Sequence, residues 1–93
     1  MSLDLSKIRT EIDAVDHEIV ALLEKRMHLV DQVVAYKEAT GMPIYDGNRE
    51  AAILEKVANL VEDKSYQTTI VDTFEAMMRH SRKFQKGQLG DSK

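Results

Sequence analysis

The sequence has no cysteine and no tryptophan, and its 93 residues include only one proline and four glycines. The absence of cysteine excludes disulfides, zinc–thiolate sites, iron–sulfur clusters and thiol nucleophiles. The scarcity of glycine and proline, with only 5% aromatic residues, argues against a turn-rich β-sandwich or barrel. No apolar run approaches the roughly 20 residues that cross a bilayer, and the N-terminus lacks the apolar core of a signal peptide. We therefore expect a cytoplasmic chain.

Neither sign of charge dominates the sequence. The net charge is −3, from 13 basic and 16 acidic residues, which argues against extensive binding to nucleic acid or anionic lipid. A hydrophobic fraction of 43% with 31% charged residues is typical of a soluble globular domain. We predict a single domain over residues 1–93, with a polar tail at about 87–93. The sequence leaves open whether this domain stands alone or belongs to a longer polypeptide.

The longest predicted element is an N-terminal helix. Neither proline nor glycine stands between Leu5 and Thr40, whereas Gly41 and Pro43 follow as a usual helix stop. Asp4 or Ser6 would cap its start. Its apolar residues recur every three or four positions, as on one face of an amphipathic helix; they are Ile8, Ile12, Val15, Ile19, Leu22, Leu29 and Val33.

Two shorter helices are predicted to follow, one opening near residues 46–48 and one from about residues 65–68 to Gly87. The fold class is therefore all-α, with three helices per chain. A helix of about 36 residues is roughly 54 Å long, whereas a compact monomer of this size is roughly 32 Å across. The apolar stripe continues into the overhang, so we expect a partner chain to cover it, and a homodimer is the simplest solution.

Polar residues interrupt the apolar rows of all three predicted helices. Arg26 continues the row of the first helix, and Lys37 lies on the same face about 16 Å further along the axis. The other inward-facing polar positions are Asp46, Arg49 and Glu50 on the second helix, and Ser81 and Gln85 on the third. Each has an ordinary explanation, namely snorkelling, helix capping or a frayed helix end. Together they favour a shared pocket for an anionic ligand, which would pair with the buried charges.

Other signals for chemistry are weaker. His17 and His28 are eleven residues apart on one helix, too far to share an ion, and with His80 they are assigned to the surface, so no metal site is predicted. A basic face near the end of the third helix is assigned to the negative end of the helix dipole rather than to nucleic acid; it comprises Arg79, Arg82, Lys83 and Lys86.

From about Leu5 to Gln85 the chain resembles the all-helical chorismate mutases. The resemblance is carried by Ile8-Arg9-Thr-Glu-Ile12-Asp-Ala-Val-Asp16, Leu22-Leu23-Glu-Lys-Arg26, Lys37, Pro43-Ile-Tyr-Asp46-Gly-Asn-Arg49-Glu50, Ser81 and Gln85. It implies an intertwined homodimer with two equivalent sites. It also implies an isomerase of the shikimate pathway that rearranges chorismate to prephenate, for phenylalanine and tyrosine biosynthesis, without cofactor or metal.

The resemblance also assigns roles to residues. Arg26 and the partner's Arg9 would hold the two substrate carboxylates, while Lys37 would bond a carboxylate and the ether oxygen. Gln85 would be the second donor to that oxygen. The supply of Arg9 in trans agrees with its distance from Lys37, roughly 42 Å along one continuous helix.

The remaining assignments concern the ring hydroxyl and the charged groups. By the resemblance, Glu50 and the backbone at Asp46 would contact the ring hydroxyl, and Arg49 and Ser81 would support the charged groups. A [3,3] rearrangement needs no nucleophile or general base, but it gains from confinement of the substrate and from positive charge beside the breaking C–O bond.

Two alternatives remain open at this point. Members of the same fold also act as isochorismate pyruvate lyases, and the chain departs from the usual pattern with Met27 where a second basic residue often follows the arginine. Gln85 and the segment 46–50 favour the mutase. The other alternative is a helical dimerisation module without a ligand, against which the inward-facing Arg26 and Lys37 argue.

Overall fold

The computed structural model describes residues 3–90, and within them the chain folds into three α-helices with no strand. Helix α1 is Leu5–Thr40, α2 is Gly47–Leu60 and α3 is Gln67–Leu89; a 3₁₀ turn at Lys64–Tyr66 precedes α3. The prediction of an all-α chain with one very long N-terminal helix is therefore confirmed.

Both ends of α1 are set by the residues that the sequence indicates. The side chain of Asp4 accepts a hydrogen bond from the backbone N–H of Lys7 and so caps the first turn. At the other end Gly41 takes a left-handed conformation, with φ of 74°, and its N–H donates to the carbonyl of Lys37. A left-handed glycine is a common way to end a helix, because it carries no Cβ.

Helix α2 and the 3₁₀ turn each begin at an aspartate cap. The Asp46 carboxylate accepts from the N–H of Arg49 at the start of α2. At the 3₁₀ turn the Asp63 carboxylate accepts hydrogen bonds from the hydroxyl and the backbone N–H of Ser65. Both bonds lower the pKa of Asp63 below its usual value, and the bond from the hydroxyl has the larger effect.

The third helix is longer than predicted. The sequence predicts that the third helix ends at Gly87, but α3 continues through Gly87 to Leu89 and is capped by Gly90, whose φ is 72°. A glycine inside a helix weakens it without ending it, whereas a left-handed glycine forms a cap. Of the predicted polar tail, residues 87–89 are thus helical, and residues 91–93 lie outside the described part of the chain.

Helix α3 packs against both α1 and α2 and forms the centre of the chain. The buried apolar side chains are Val30, Val34, Val57 and Met78. On α1 only the C-terminal half takes part, because every residue from Leu5 to Leu22 is exposed. The described chain is accordingly elongated, with extents of 60 × 24 × 19 Å.

The row of α1 that packs within the chain is not the row that the sequence suggests. The predicted stripe is exposed along its whole length, Leu29 and Val33 included, whereas Val30, Val34 and Lys37 on the neighbouring row are buried against α3. The stripe is therefore unpartnered within one chain. Within residues 3–90, no helix combines the length and the apolar composition that a membrane span requires.

Candidate active site

A cleft of about 350 Å³ opens between the C-terminal half of α1 and the start of α2, with α3 as its floor. This volume lies within the range of small-molecule sites. The cleft is lined by seven of the eight residues predicted for the site, namely Arg26, Lys37, Asp46, Arg49, Glu50, Ser81 and Gln85. Its apolar lining includes Val30 and Met78 from the core. The structure therefore brings together polar residues from all three helices.

The centre of the cleft is the ammonium group of Lys37. This side chain is only 7% exposed, and its Nζ donates to the carbonyl of Ile44 at 2.6 Å and to Oε1 of Gln85 at 2.8 Å. An ammonium has three N–H donors, so one remains for a ligand. Within residues 3–90 no carboxylate lies within 4 Å of it. A buried cation without a counter-ion is costly, and an anionic ligand would offset that cost.

Gln85 and Ser81 complete the floor of the cleft. Both are buried on α3, and the Gln85 Nε2 donates to the Ser81 hydroxyl oxygen at 3.2 Å. The amide orientation follows from its neighbours, because Oε1 accepts from Lys37 and the nitrogen must then face Ser81. One N–H of the amide remains for a ligand. Since α3 continues to Leu89, a frayed helix end does not account for these two polar residues.

The charges around the cleft are unequal in sign. Arg26 is half-buried and Arg49 is exposed, and neither pairs with a carboxylate in the described chain. Asp46 is engaged as the cap of α2, and Glu50 forms an ion pair with Arg82. The cleft therefore presents more unpaired positive than negative charge, as a site for a small anion requires.

The ion pair between Glu50 and Arg82 was missed by the sequence analysis. Arg82 was assigned to the dipole of the third helix, which is wrong: its Nη1 contacts Glu50 Oε1, and its guanidinium lies 5.2 Å from the centroid of the Tyr45 ring. The signal that could have found it is Glu50 itself, since an inward-facing carboxylate needs a partner. The carbonyl of Ile44 was also missed, because no side-chain pattern indicates a backbone acceptor.

Arg9 is the one predicted residue that the chain does not bring to the cleft. It is exposed on the N-terminal half of α1, 28 residues from Lys37 and roughly 42 Å away along the helix. Elsewhere within residues 3–90, no three histidine or acidic side chains cluster closely enough to hold a metal ion.

Comparison with known proteins gives a consistent result. The family model for chorismate mutase type II matches residues 8–86. The chorismate mutase of Methanocaldococcus jannaschii is 29% identical over 89 residues, which cover 95% of this chain and 90% of that protein.

Two longer relatives are similar over only part of their length. The T-protein of Haemophilus influenzae is 36% identical over 83% of this chain and 21% of its own length. The bifunctional chorismate mutase/prephenate dehydratase of Buchnera aphidicola is 37% identical over 92% of this chain and 23% of its own length. The chain thus spans about a fifth to a quarter of these two proteins. No solved structure matches the chain significantly.

Proposed function

Because the chain belongs to the chorismate mutase type II family, we propose that the cleft around Lys37 is the site at which this isomerase rearranges chorismate to prephenate. The product serves aromatic amino acid biosynthesis, and a cytoplasmic location is part of the proposal. The observation that carries it is the buried, hydrogen-bonded pair of Lys37 and Gln85, each with an N–H left for a ligand.

The chemistry of the reaction fits these donors. In the [3,3] rearrangement the C–O bond of the enol ether breaks while a C–C bond forms, and negative charge accumulates on the ether oxygen. Lys37 and Gln85 would donate to that oxygen, and their existing hydrogen bonds fix them before the substrate arrives. Donors positioned in advance lower the barrier because they need no reorganisation during the reaction.

The two substrate carboxylates require cations. Arg26 would bind one of them from the wall of the cleft, and the positive charge of Lys37 would help to balance the negative charge of the substrate. The partner's Arg9 would bind the other carboxylate. Guanidinium groups suit this task because they bind carboxylates in a planar, two-pronged geometry.

The remaining residues of the cleft would orient the ring. Glu50 and the backbone at Asp46 would contact the ring hydroxyl, while Arg49 and Ser81 would support the charged groups. Confinement of a flexible dianion in the reactive chair-like geometry supplies a large part of the rate enhancement in such a unimolecular reaction.

The unpartnered face of α1 supports a homodimer. Every residue from Leu5 to Leu22 is exposed, and among them are five members of the stripe that the sequence predicts, namely Ile8, Ile12, Val15, Ile19 and Leu22. A second copy would cover this stripe and would carry its own Arg9 towards the cleft of the first. Two-fold symmetry then creates two equivalent sites per dimer.

A single assay separates this proposal from its alternatives. Purified protein is incubated with chorismate and, in parallel, with isochorismate, and the products are identified. We expect prephenate from chorismate. Release of pyruvate from isochorismate with no prephenate formed would favour the lyase, and no turnover of either substrate would favour a dimerisation module.

A matched pair of variants ties the activity to the cleft. Lys37→Ala should lower the rate of prephenate formation by about 100-fold or more, whereas Lys83→Ala, which removes an exposed lysine of α3, should leave it unchanged. Equal activity of both variants would place the reaction elsewhere on the molecule.

A further inference from the structure

The Glu50–Arg82 ion pair lies at the edge of the cleft, and Arg82 has no role in the function proposed so far. The pair joins α2 to α3, and its two side chains are 20% and 30% exposed for Glu50 and Arg82 respectively. The guanidinium of Arg82 is also stacked over Tyr45, at 5.2 Å from the ring centroid. Arg82 does not line the cleft, whereas Glu50 does.

We infer that Arg82 is a positioning residue, which orients the Glu50 carboxylate towards the ring hydroxyl of the substrate and offsets its negative charge. The inference rests on the proposed function, in which Glu50 contacts that hydroxyl. Arg82 itself acts only through Glu50.

The orientation follows from the acceptors of the carboxylate. Oε1 of Glu50 is engaged by Arg82, and within the described chain no other hydrogen bond to the Glu50 side chain is formed. The second oxygen therefore remains to accept from a hydroxyl group. Without Arg82 the Glu50 side chain would regain its rotamer freedom, and binding would have to restrict it again.

The charge argument is independent of the orientation. A carboxylate on the wall of a site for a dianion repels its ligand, and partial burial weakens the screening of this repulsion by water. Pairing with Arg82 lets Glu50 accept a hydrogen bond while the pair as a whole stays neutral. Both effects predict weaker substrate binding when Arg82 is lost.

A second contact, with the Tyr45 ring, holds Arg82 in place. The Tyr45 ring lies against the first residue of α2, Gly47, where an added Cβ would come within 3.0 Å of the tyrosine hydroxyl oxygen. Glycine at this position leaves room for the ring, and the ring supports the guanidinium by a cation–π contact.

The competing explanation is that the ion pair only ties α2 to α3.

Steady-state kinetics and thermal unfolding of four variants distinguish the two explanations. The variants are Arg82→Gln, Arg82→Lys, Glu50→Ala and the double variant Glu50→Ala/Arg82→Gln, with Lys83→Ala, which removes the neighbouring exposed cation of α3, as the control. We expect Arg82→Gln to lower kcat/KM about tenfold, mostly through KM, with a small change in Tm because the pair is partly exposed. Arg82→Lys should recover part of the loss, and Lys83→Ala should match the wild type.

The double variant gives the decisive result. If Arg82 acts through Glu50, the double variant should be no less active than Glu50→Ala alone, because the group that Arg82 positions is already gone. The inference would be overturned if Arg82→Gln lowered kcat/KM as much in the Glu50→Ala variant as in the wild type. It would also be overturned if the loss of activity simply followed the fall in Tm. A Glu50→Ala variant with wild-type kinetics would overturn it together with the assigned role of Glu50. The main proposal would still stand or fall separately, with Lys37→Ala.

Discussion

At the scale of single residues, three of the seven buried side chains in the described chain are polar: Lys37, Ser81 and Gln85. They form one hydrogen-bonded chain that ends at the carbonyl of Ile44. No buried side-chain nitrogen or oxygen in residues 3–90 lacks a hydrogen-bond partner. Lys37 and Gln85 nevertheless each retain an N–H that can donate to a ligand. Replacement of buried ionic groups by apolar residues of similar volume is often neutral or stabilising, so their presence in so small a core is typical of a site maintained for function.

The first prediction concerns Lys37→Ala. If the ammonium stabilises charge that develops on the ether oxygen, its loss should lower both kcat and kcat/KM by about 100-fold or more. Steady-state kinetics measures both parameters, and circular dichroism checks that the helices remain. A variant with normal kcat and only a raised KM would identify Lys37 as a ground-state binder and contradict the proposed mechanism.

The second prediction concerns the other donor, through Gln85→Glu. An amide does not titrate, whereas a glutamate at this position must be protonated before it donates to the ether oxygen. The activity of the variant should therefore rise as the pH falls, and the rise should be absent from the wild type. A pH profile of kcat with the same shape in both proteins would count against Gln85 as a donor.

At the scale of elements, two glycines of the chain, Gly41 and Gly87, have opposite roles. Gly41 caps α1 with a φ of 74°, where any Cβ is strained. Gly87 lies inside α3 without a positive φ, and an added Cβ there would meet nothing within 4 Å.

The third prediction follows from this difference. Gly87→Ala should raise the free energy of unfolding by about 0.5 kcal/mol, because alanine loses less backbone entropy in a helix. Gly41→Ala should lower it by about 1 kcal/mol, because the cap would be strained. Urea unfolding of both variants at one protein concentration measures the two effects. Equal shifts of the same sign would show that the cap conformation is not what distinguishes the two sites.

The elements also show what a sequence can and does not reveal here. Both ends of α1 were predictable because Asp4 and Gly41 have strong local preferences, and the positions of Lys37 and Gln85 followed from helical spacing. The end of α3 was not, since Gly87 and Gly90 look alike until the backbone is known. The Glu50–Arg82 contact was not predictable either, because it joins two helices whose relative rotation depends on packing along their whole length.

At the scale of the whole molecule, the described chain is elongated, and much of its longest helix has no packing partner within the chain. Its longest dimension is 60 Å, and the N-terminal half of α1 contacts neither of the other helices closely enough to bury any side chain. The exposed stripe on that half includes Ile8, Ile12 and Ile19. Monomers rarely leave a large contiguous apolar surface in water.

The fourth prediction is therefore an obligate homodimer. Sedimentation equilibrium at micromolar concentration should give about twice the chain mass of 10.6 kDa. Ile12→Glu, which places a charge in the stripe, should dissociate the dimer and remove activity. Glu24→Lys, at an exposed position on the other side of α1 from the stripe, should change neither property strongly. A folded, active monomer at this concentration would contradict both the dimer and the two-chain site.

The last prediction is that each active site is built from two chains, with Arg9 supplied in trans. Arg9 and Lys37 lie roughly 42 Å apart on one continuous helix, so they are too distant to bind the same small molecule within a chain. We expect Arg9→Ala and Lys37→Ala each to be nearly inactive as homodimers. Unfolded and refolded together in equal amounts, they should form about half mixed dimers, each with one doubly damaged and one intact site, so about a quarter of wild-type activity should return. Arg26→Ala mixed with Lys37→Ala is the matched control: both residues line the same cleft of one chain, so every site in the mixed dimer keeps one defect and no activity should return. If subunit exchange is verified and the Arg9→Ala mixture stays as inactive as this control, Arg9 does not act across the interface.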